Sequence, residues 1–202
     1  MSNVGLLYVG AVLFINGLML IGKVEPKSAG IFNLFVGALQ VFTPLFLIIT
    51  AEGDNWSIFQ ASGIFLFGFT YLYVGIANLM NADSSGIGYY SLWVSILAVG
   101  YSLVNFIHFQ EFKFGVIWLF WSFLWALFYL LLAKKKEIAV FTGWVAIIQS
   151  WVTAAIPAFL SLIGYWQHVS FFAACTVFVS VIVLFLLIYI TQHHSVKKMK
   201  LS

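Results

Sequence analysis

Seven apolar runs, each near the roughly 20 residues that a helix needs to cross the hydrocarbon of a bilayer, follow one another with only short polar breaks. They occupy 4–22, 26–51, 56–79, 88–107, 112–133, 138–162 and 165–191. A chain inside hydrocarbon must pair its backbone groups within its own segment, so the runs predict helices and an all-α polytopic membrane protein. Such short connections make sequential helices antiparallel neighbours in one bundle. Composition excludes the soluble alternative, since 63% of the residues are hydrophobic and 7% charged, against about 25% charged in an ordinary soluble domain. The first run lacks a cationic lead-in and a small-residue cleavage site, so it is expected to be a retained span.

An odd number of spans places the two ends of the chain on opposite sides. All nine basic residues are lysines. Lys23, Lys27, Lys134, Lys135, Lys136, Lys197, Lys198 and Lys200 fall on one side, and Lys113 alone on the other. Positive charge is retained on the cytoplasmic side, which predicts an external N-terminus, a cytoplasmic C-terminus and Glu52, Asp54 and Glu111 on external loops. The lysines sit at segment ends rather than on one face, so no nucleic-acid surface is expected. Cys175 is the only cysteine and cannot form an intrachain disulfide.

The fifth run sets Trp118, Trp121 and Trp125 in one stripe, because spacings of three and four residues stack side chains on one helix face. Tryptophan in a membrane usually lies near the headgroups, yet Trp121 and Trp125 fall near the middle of the run. They are either packing bulk or the flat walls of a constriction for a small solute. The even-numbered runs also repeat a pattern of aromatic, small polar, any, aromatic, Val, small. It is read at Phe32-Asn33-Leu34-Phe35-Val36-Gly37, at Tyr90-Ser91-Leu92-Trp93-Val94-Ser95 and at Phe141-Thr142-Gly143-Trp144-Val145-Ala146. Three helical hairpins around a central axis would follow, entering from the same side, which favours a fixed path over the inverted repeats of alternating access.

No Asp, Glu, Lys, Arg or His lies in the middle of a run, so nothing there can couple solute movement to a proton or ion. Nor is there a His, Glu or Cys cluster for catalysis or metal binding, and neither enzyme activity nor a cofactor is expected. The polar groups inside the membrane are neutral. Thr142, Gln149 and Thr153 share a face of the sixth run, with Asn16, Asn33, Thr70, Tyr73, Asn78 and Asn105 elsewhere. They are either interhelical hydrogen bonds or partners for a neutral polar solute. Pro44 and Pro157 are expected to kink their helices and free carbonyls.

Several segments, in order, carry a resemblance to a known family. They are Leu6-Leu7-Tyr8-Val9-Gly10, Asn16-Gly17, Lys23-Val24-Glu25-Pro26-Lys27-Ser28, Leu66-Phe67-Gly68-Phe69-Thr70-Tyr71-Leu72-Tyr73, the Trp118/Trp121/Trp125 spacing, and Trp144-Val145-Ala146-Ile147-Ile148 with Ile156-Pro157-Ala158. Together they resemble the urea channel and amide transporter family (UreI/AmiS). The resemblance implies six-helix protomers of three hairpins around a pore, assembled as hexamers in the bacterial plasma membrane. They would pass urea or short-chain amides passively to a cytosolic urease or amidase. It also implies Trp121 and Trp125 as a constriction, Phe69 and Tyr73 as walls facing them, and Leu6, Val9 and Trp118 as further lining, beside the polar Gln149 and Thr153.

Two departures shape the expectation. Acid-gated members, as the resemblance suggests them, have long external loops rich in His and carboxylates, whereas this chain offers only Glu52, Asp54, His108, Glu111 and His168 there. Gln149 stands where those members have a carboxylate, and it cannot titrate. A channel with weak or absent pH gating is expected. The second departure is the extra run, which divides the chain into a six-helix unit at 1–164, an added membrane helix at 165–191 and a basic tail at 192–202. Lipids are its expected neighbours. An alternating-access facilitator of the same solutes and a non-conducting scaffold or sensor are the alternatives.

Overall fold

The computed structural model describes residues 2–199 of the 202-residue chain, with side chains described as far as residue 192. The helices are α1 (Ser2–Leu20), α2 (Pro26–Ile49), α3 (Asn55–Met80), α4 (Ser85–Val104), α5 (Phe112–Leu132), α6 (Ala139–Gln149), α7 (Ile156–Leu162) and α8 (Phe171–Met199). Two π-helical stretches, Asn105–Phe109 and Ser150–Ala155, extend α4 and join α6 to α7. The sixth run is therefore one span in two halves. Pro157 opens the second half. Its ring removes the N–H that would close on the Thr153 carbonyl, and the π-helical turns lie where that bond is lost. Among the described residues, seven helical spans are long and apolar enough to cross a membrane.

Six spans close into a ring in which the tightest pairs are α2 with α3, α4 with α5, and α1 with the sixth span. Sequential neighbours do meet, but close packing falls between the end of one repeat and the start of the next. The repeat explains this. Its valine is buried each time, at Val36, Val94 and Val145, and its small polar residue is buried at Asn33, Ser91 and Thr142. Its second aromatic points away from the bundle each time, at Phe35, Trp93 and Trp144. The small residue forms each tight crossing: a Cβ on Gly37 would lie 2.7 Å from the Leu72 amide nitrogen, Ser95 donates to the Ser122 carbonyl at 2.8 Å, and Ala146 is fully buried. Small residues at these positions let backbones approach where lipid gives no hydrophobic drive for association.

Loops 21–25, 81–84 and 133–138 lie on one side, called here the lysine side, and loops 50–54, 110–111 and 163–170 on the other, the N side. At the N side Asp54 caps α3, its carboxylate accepting from the Ser57 amide at 2.8 Å. Hydrogen bonding from Ser57, its side chain first and then its amide, holds the Asp54 carboxyl below its usual pKa. Lys113 ties the lead-in of α8 to the start of α5, donating to the carbonyls of Trp166 and Val169 at 2.9 and 3.1 Å. Helix α8 then lies on the outside of the ring, touching α5 and α6. Among its described side chains only Ala174, Phe178, Val181 and Phe185, one stripe at helical spacing, are buried.

Candidate functional site

The centre of the ring is filled by aromatic side chains from two helices. Trp121 and Trp125 of α5 are 4% and 1% exposed, and Phe67 of α3 is 5% exposed between them. The Phe67 ring meets Trp121 edge-to-face at 4.8 Å and Trp125 at 5.1 Å. Trp118 stands one turn nearer the N side, edge-on to Trp121 at 4.9 Å and stacked on Tyr101 at 4.5 Å.

A buried indole N–H needs an acceptor, and each is met in the same way. Trp121 Nε1 donates to Thr153 Oγ1 at 3.0 Å, and that hydroxyl donates to the Gln149 carbonyl at 2.7 Å. Trp125 Nε1 donates to Thr70 Oγ1 at 3.3 Å, and that hydroxyl donates to the Leu66 carbonyl at 2.7 Å. The backbone thus sets each hydroxyl proton, and the hydroxyl sets each indole.

Cavities open on both sides of this plug. The N-side cavity is about 330 Å³ and is lined among others by Leu6, Val9, Gln40, Phe67, Trp118 and Trp121, with Glu111 also contributing. The lysine-side cavity is about 90 Å³ and is lined among others by Leu13, Asn16, Thr70, Tyr71, Ser91 and Trp125. Trp121 faces the first and Trp125 the second, so the two tryptophans close the ends of two separate spaces. Helix α1 lines both, through Leu6 and Val9 and then Leu13 and Asn16, all at spacings of three or four. Burial deprives the Tyr71 hydroxyl of any partner among the described residues, whereas Asn16 exchanges two side-chain hydrogen bonds with Asn33 at 3.0 and 2.6 Å. Among the described residues there is no cluster of His, Cys, Asp or Glu suited to a metal.

The structure thus brings Trp118, Trp121, Trp125, Leu6 and Val9 to the cavities, whereas Thr153 lines neither and stands behind Trp121 as the acceptor of its indole. It does not bring Phe69 and Tyr73 there, and the expectation that they face the tryptophans is corrected. They are 50% and 41% exposed on the outside of the bundle, and the Tyr73 hydroxyl rests against Gly86 of α4. A displacement of two residues turns a helix by about 200°, so Phe67 and Tyr71 occupy the inward face that Phe69 and Tyr73 miss. Gln149 lines neither cavity. It is fully buried, and both atoms of its amide lack partners among the described residues, so its link to Trp121 runs through its own carbonyl and Thr153. Phe67, Tyr71, Leu13 and Tyr101 line the cavities as well, beyond the residues that the sequence marks. The signal for α3 was available in Gln60, Thr70 and Asn78, whose polar groups avoid lipid and mark the inward stripe.

Comparison with known proteins agrees with this architecture. The profile of the AmiS/UreI family transporters matches residues 1–165. The chain is 53% identical over 165 residues to "Putative transporter protein AmiS2" of Rhodococcus erythropolis, covering 81% of this chain and 80% of that one. It is 32% identical over 196 residues to the acid-activated urea channel of Helicobacter pylori, covering 82% of this chain and all of that one. The cryo-EM structure of the Helicobacter pylori urea channel in a closed state superposes with a TM-score of 0.75 at 33% identity, over 82% of this chain and 100% of the other. With its repeat, its ring of six spans and these relatives, the chain belongs to the AmiS/UreI family of multi-pass membrane transporters.

Proposed function

We propose that the protein is a passive, selective channel for small neutral amides, urea and acetamide-like short-chain amides, in the bacterial plasma membrane. One observation carries this reading: a cavity opens on either side of the packed rings of Phe67, Trp121 and Trp125, and none of these rings brings a charge. A flat neutral solute can pass between aromatic faces while exchanging hydrogen bonds with hydroxyls and amides on either side. An ion would lose its hydration at a cost of several kcal/mol, with no opposite charge to replace it. The two cavities are not joined, so passage requires the rings to part. Each aromatic contact is worth only about 0.5–1.5 kcal/mol beyond its burial, which thermal motion can meet.

The finer elements belong to the same proposal. The N-terminus lies outside and the lysine side faces the cytoplasm, where a urease or amidase consumes the solute. Protomers assemble as hexamers. Residues 1–164 form the conducting unit, 165–191 an added membrane helix packed on it, and 192–202 a basic tail; residues 200–202 and the side chains from residue 193 onward lie outside the described residues. External acid has little effect on conduction. Stopped-flow swelling of proteoliposomes in urea and acetamide at pH 5 and 7.5 tests the reading. Rapid, nearly linear flux at both pH values supports it. Saturable flux with counterflow would indicate a carrier, and flux no faster than in empty liposomes would leave only a scaffold.

A further inference from the structure

We infer that Gln40 is a selectivity residue of the N-side cavity, its Oε1 accepting a hydrogen bond from the N–H of the passing amide. This rests on the amide-channel reading above and names the group that makes the channel choose amides.

Gln40 lies on α2 with 2% exposure, yet it lines the N-side cavity together with Val9, Phe67 and Trp121. A carboxamide so deeply buried has to place four hydrogen-bonding sites. Its Nε2 donates to the Gly5 carbonyl of α1 at 2.7 Å. A carbonyl only accepts, so that bond determines which end of the amide is nitrogen and leaves the oxygen to find a donor elsewhere. Gly5 permits the arrangement: a Cβ there would stand 2.8 Å from Nε2 and 3.0 Å from Oε1, forcing the carboxamide off the helix. Oε1 accepts no hydrogen bond from any described residue, and unlike the amide of Gln149 it is not sealed from the cavity.

The result is a neutral acceptor beside the Trp121 ring, whose own donor is already used in its bond to Thr153. An amide or urea has N–H donors in the plane of its flat faces, so it can lie against a ring and donate edgewise to Oε1. A solute of the same size and planarity without N–H leaves that oxygen unpaired at the moment water is displaced, which is how a polar site rejects an isostere.

Propionamide and N,N-dimethylformamide are isomers that differ in this respect, the first with two N–H donors and the second with none. Their flux through wild-type, Gln40→Met and Gln40→Glu protein in proteoliposomes, corrected for empty liposomes, reads the effect. Methionine keeps the length of the side chain and removes the acceptor, so the propionamide preference should fall about fivefold, the factor one net hydrogen bond is worth. The protonated carboxyl in Gln40→Glu can still donate to Gly5 and present a carbonyl, so lowering the pH should return the preference of that variant towards wild type. An unchanged preference in Gln40→Met of wild-type thermal stability would overturn the assignment while leaving the channel standing. Should Gln40→Met not fold, a preference in Gln40→Glu that stays lost at low pH would overturn it equally. Absence of wild-type flux for every solute would remove the channel reading and this inference with it.

Discussion

Helix α3 carries two aromatic pairs at the same spacing, Phe67 with Tyr71 and Phe69 with Tyr73, and they have opposite fates. The first pair is 5% and 1% exposed and lines the cavities beside Trp121 and Trp125; the second is 50% and 41% exposed on the outside of the bundle. Ring type and spacing are identical, so neither decides. The inward face also holds Gln60, Thr70 and Asn78, while the outward stripe continues into Ile76 and Met80. In a membrane the polar groups choose the face, because lipid accepts an aromatic ring as readily as the interior does but gives an amide nothing to bond.

The contrast is broken most severely by truncating one ring from each pair. Phe67→Ala removes the ring wedged between two tryptophans and should cost about 3 kcal/mol or more in stability, as large cavities in packed interiors do. It should also let larger amides such as butyramide through. Phe69→Ala faces outwards and should cost under about 1 kcal/mol with flux unchanged. Thermal denaturation in detergent, followed by flux in proteoliposomes, separates the two.

A smaller effect sharpens the picture by testing the hydroxyls rather than the rings. Thr70→Val and Thr153→Val keep the shape but leave one indole N–H unpaired, and each should lose about 1 kcal/mol, within the range of side-chain hydrogen bonds in membranes. Tryptophan fluorescence should show the released indole in each variant.

The smallest effect expected is that of acid. The Asp54 carboxyl that caps α3 has its pKa lowered by hydrogen bonding from Ser57. Its stabilisation is therefore present above the ordinary carboxyl value of 3.8 and lost only as the pH falls through the lowered one. Between pH 7.5 and 5 the cap stays charged, and urea flux should change by less than about twofold. A larger change would contradict the expectation of weak gating.

Much of this was legible in the chain. The seven spans, the threefold repeat and the tryptophan stripe follow from hydropathy and spacing, because bilayer thickness and helix pitch leave few other solutions. The pairing of the helices was not, since a sequence repeat does not say which of its neighbours packs tighter; that depends on Gly37 meeting Leu72 and Ser95 meeting Ser122 across the ring. The aromatic motif alone does not decide the face of α3, because it offers two pairs at one spacing; the polar residues around them decide it. Gln149 and Thr142 are buried like Thr153, yet only Thr153 reaches the indole, and Gln149 is joined to it through its backbone carbonyl, a link that residue type and spacing do not reveal.

Thiol modification tests the route directly. With Cys175 replaced by serine, Phe67→Cys and Phe69→Cys would each be treated with a small methanethiosulfonate reagent and acetamide flux measured before and after. The account predicts that modification blocks flux through Phe67→Cys and leaves Phe69→Cys unaffected. Block at residue 69 with free passage at residue 67 would contradict it and place the path on the other face of α3.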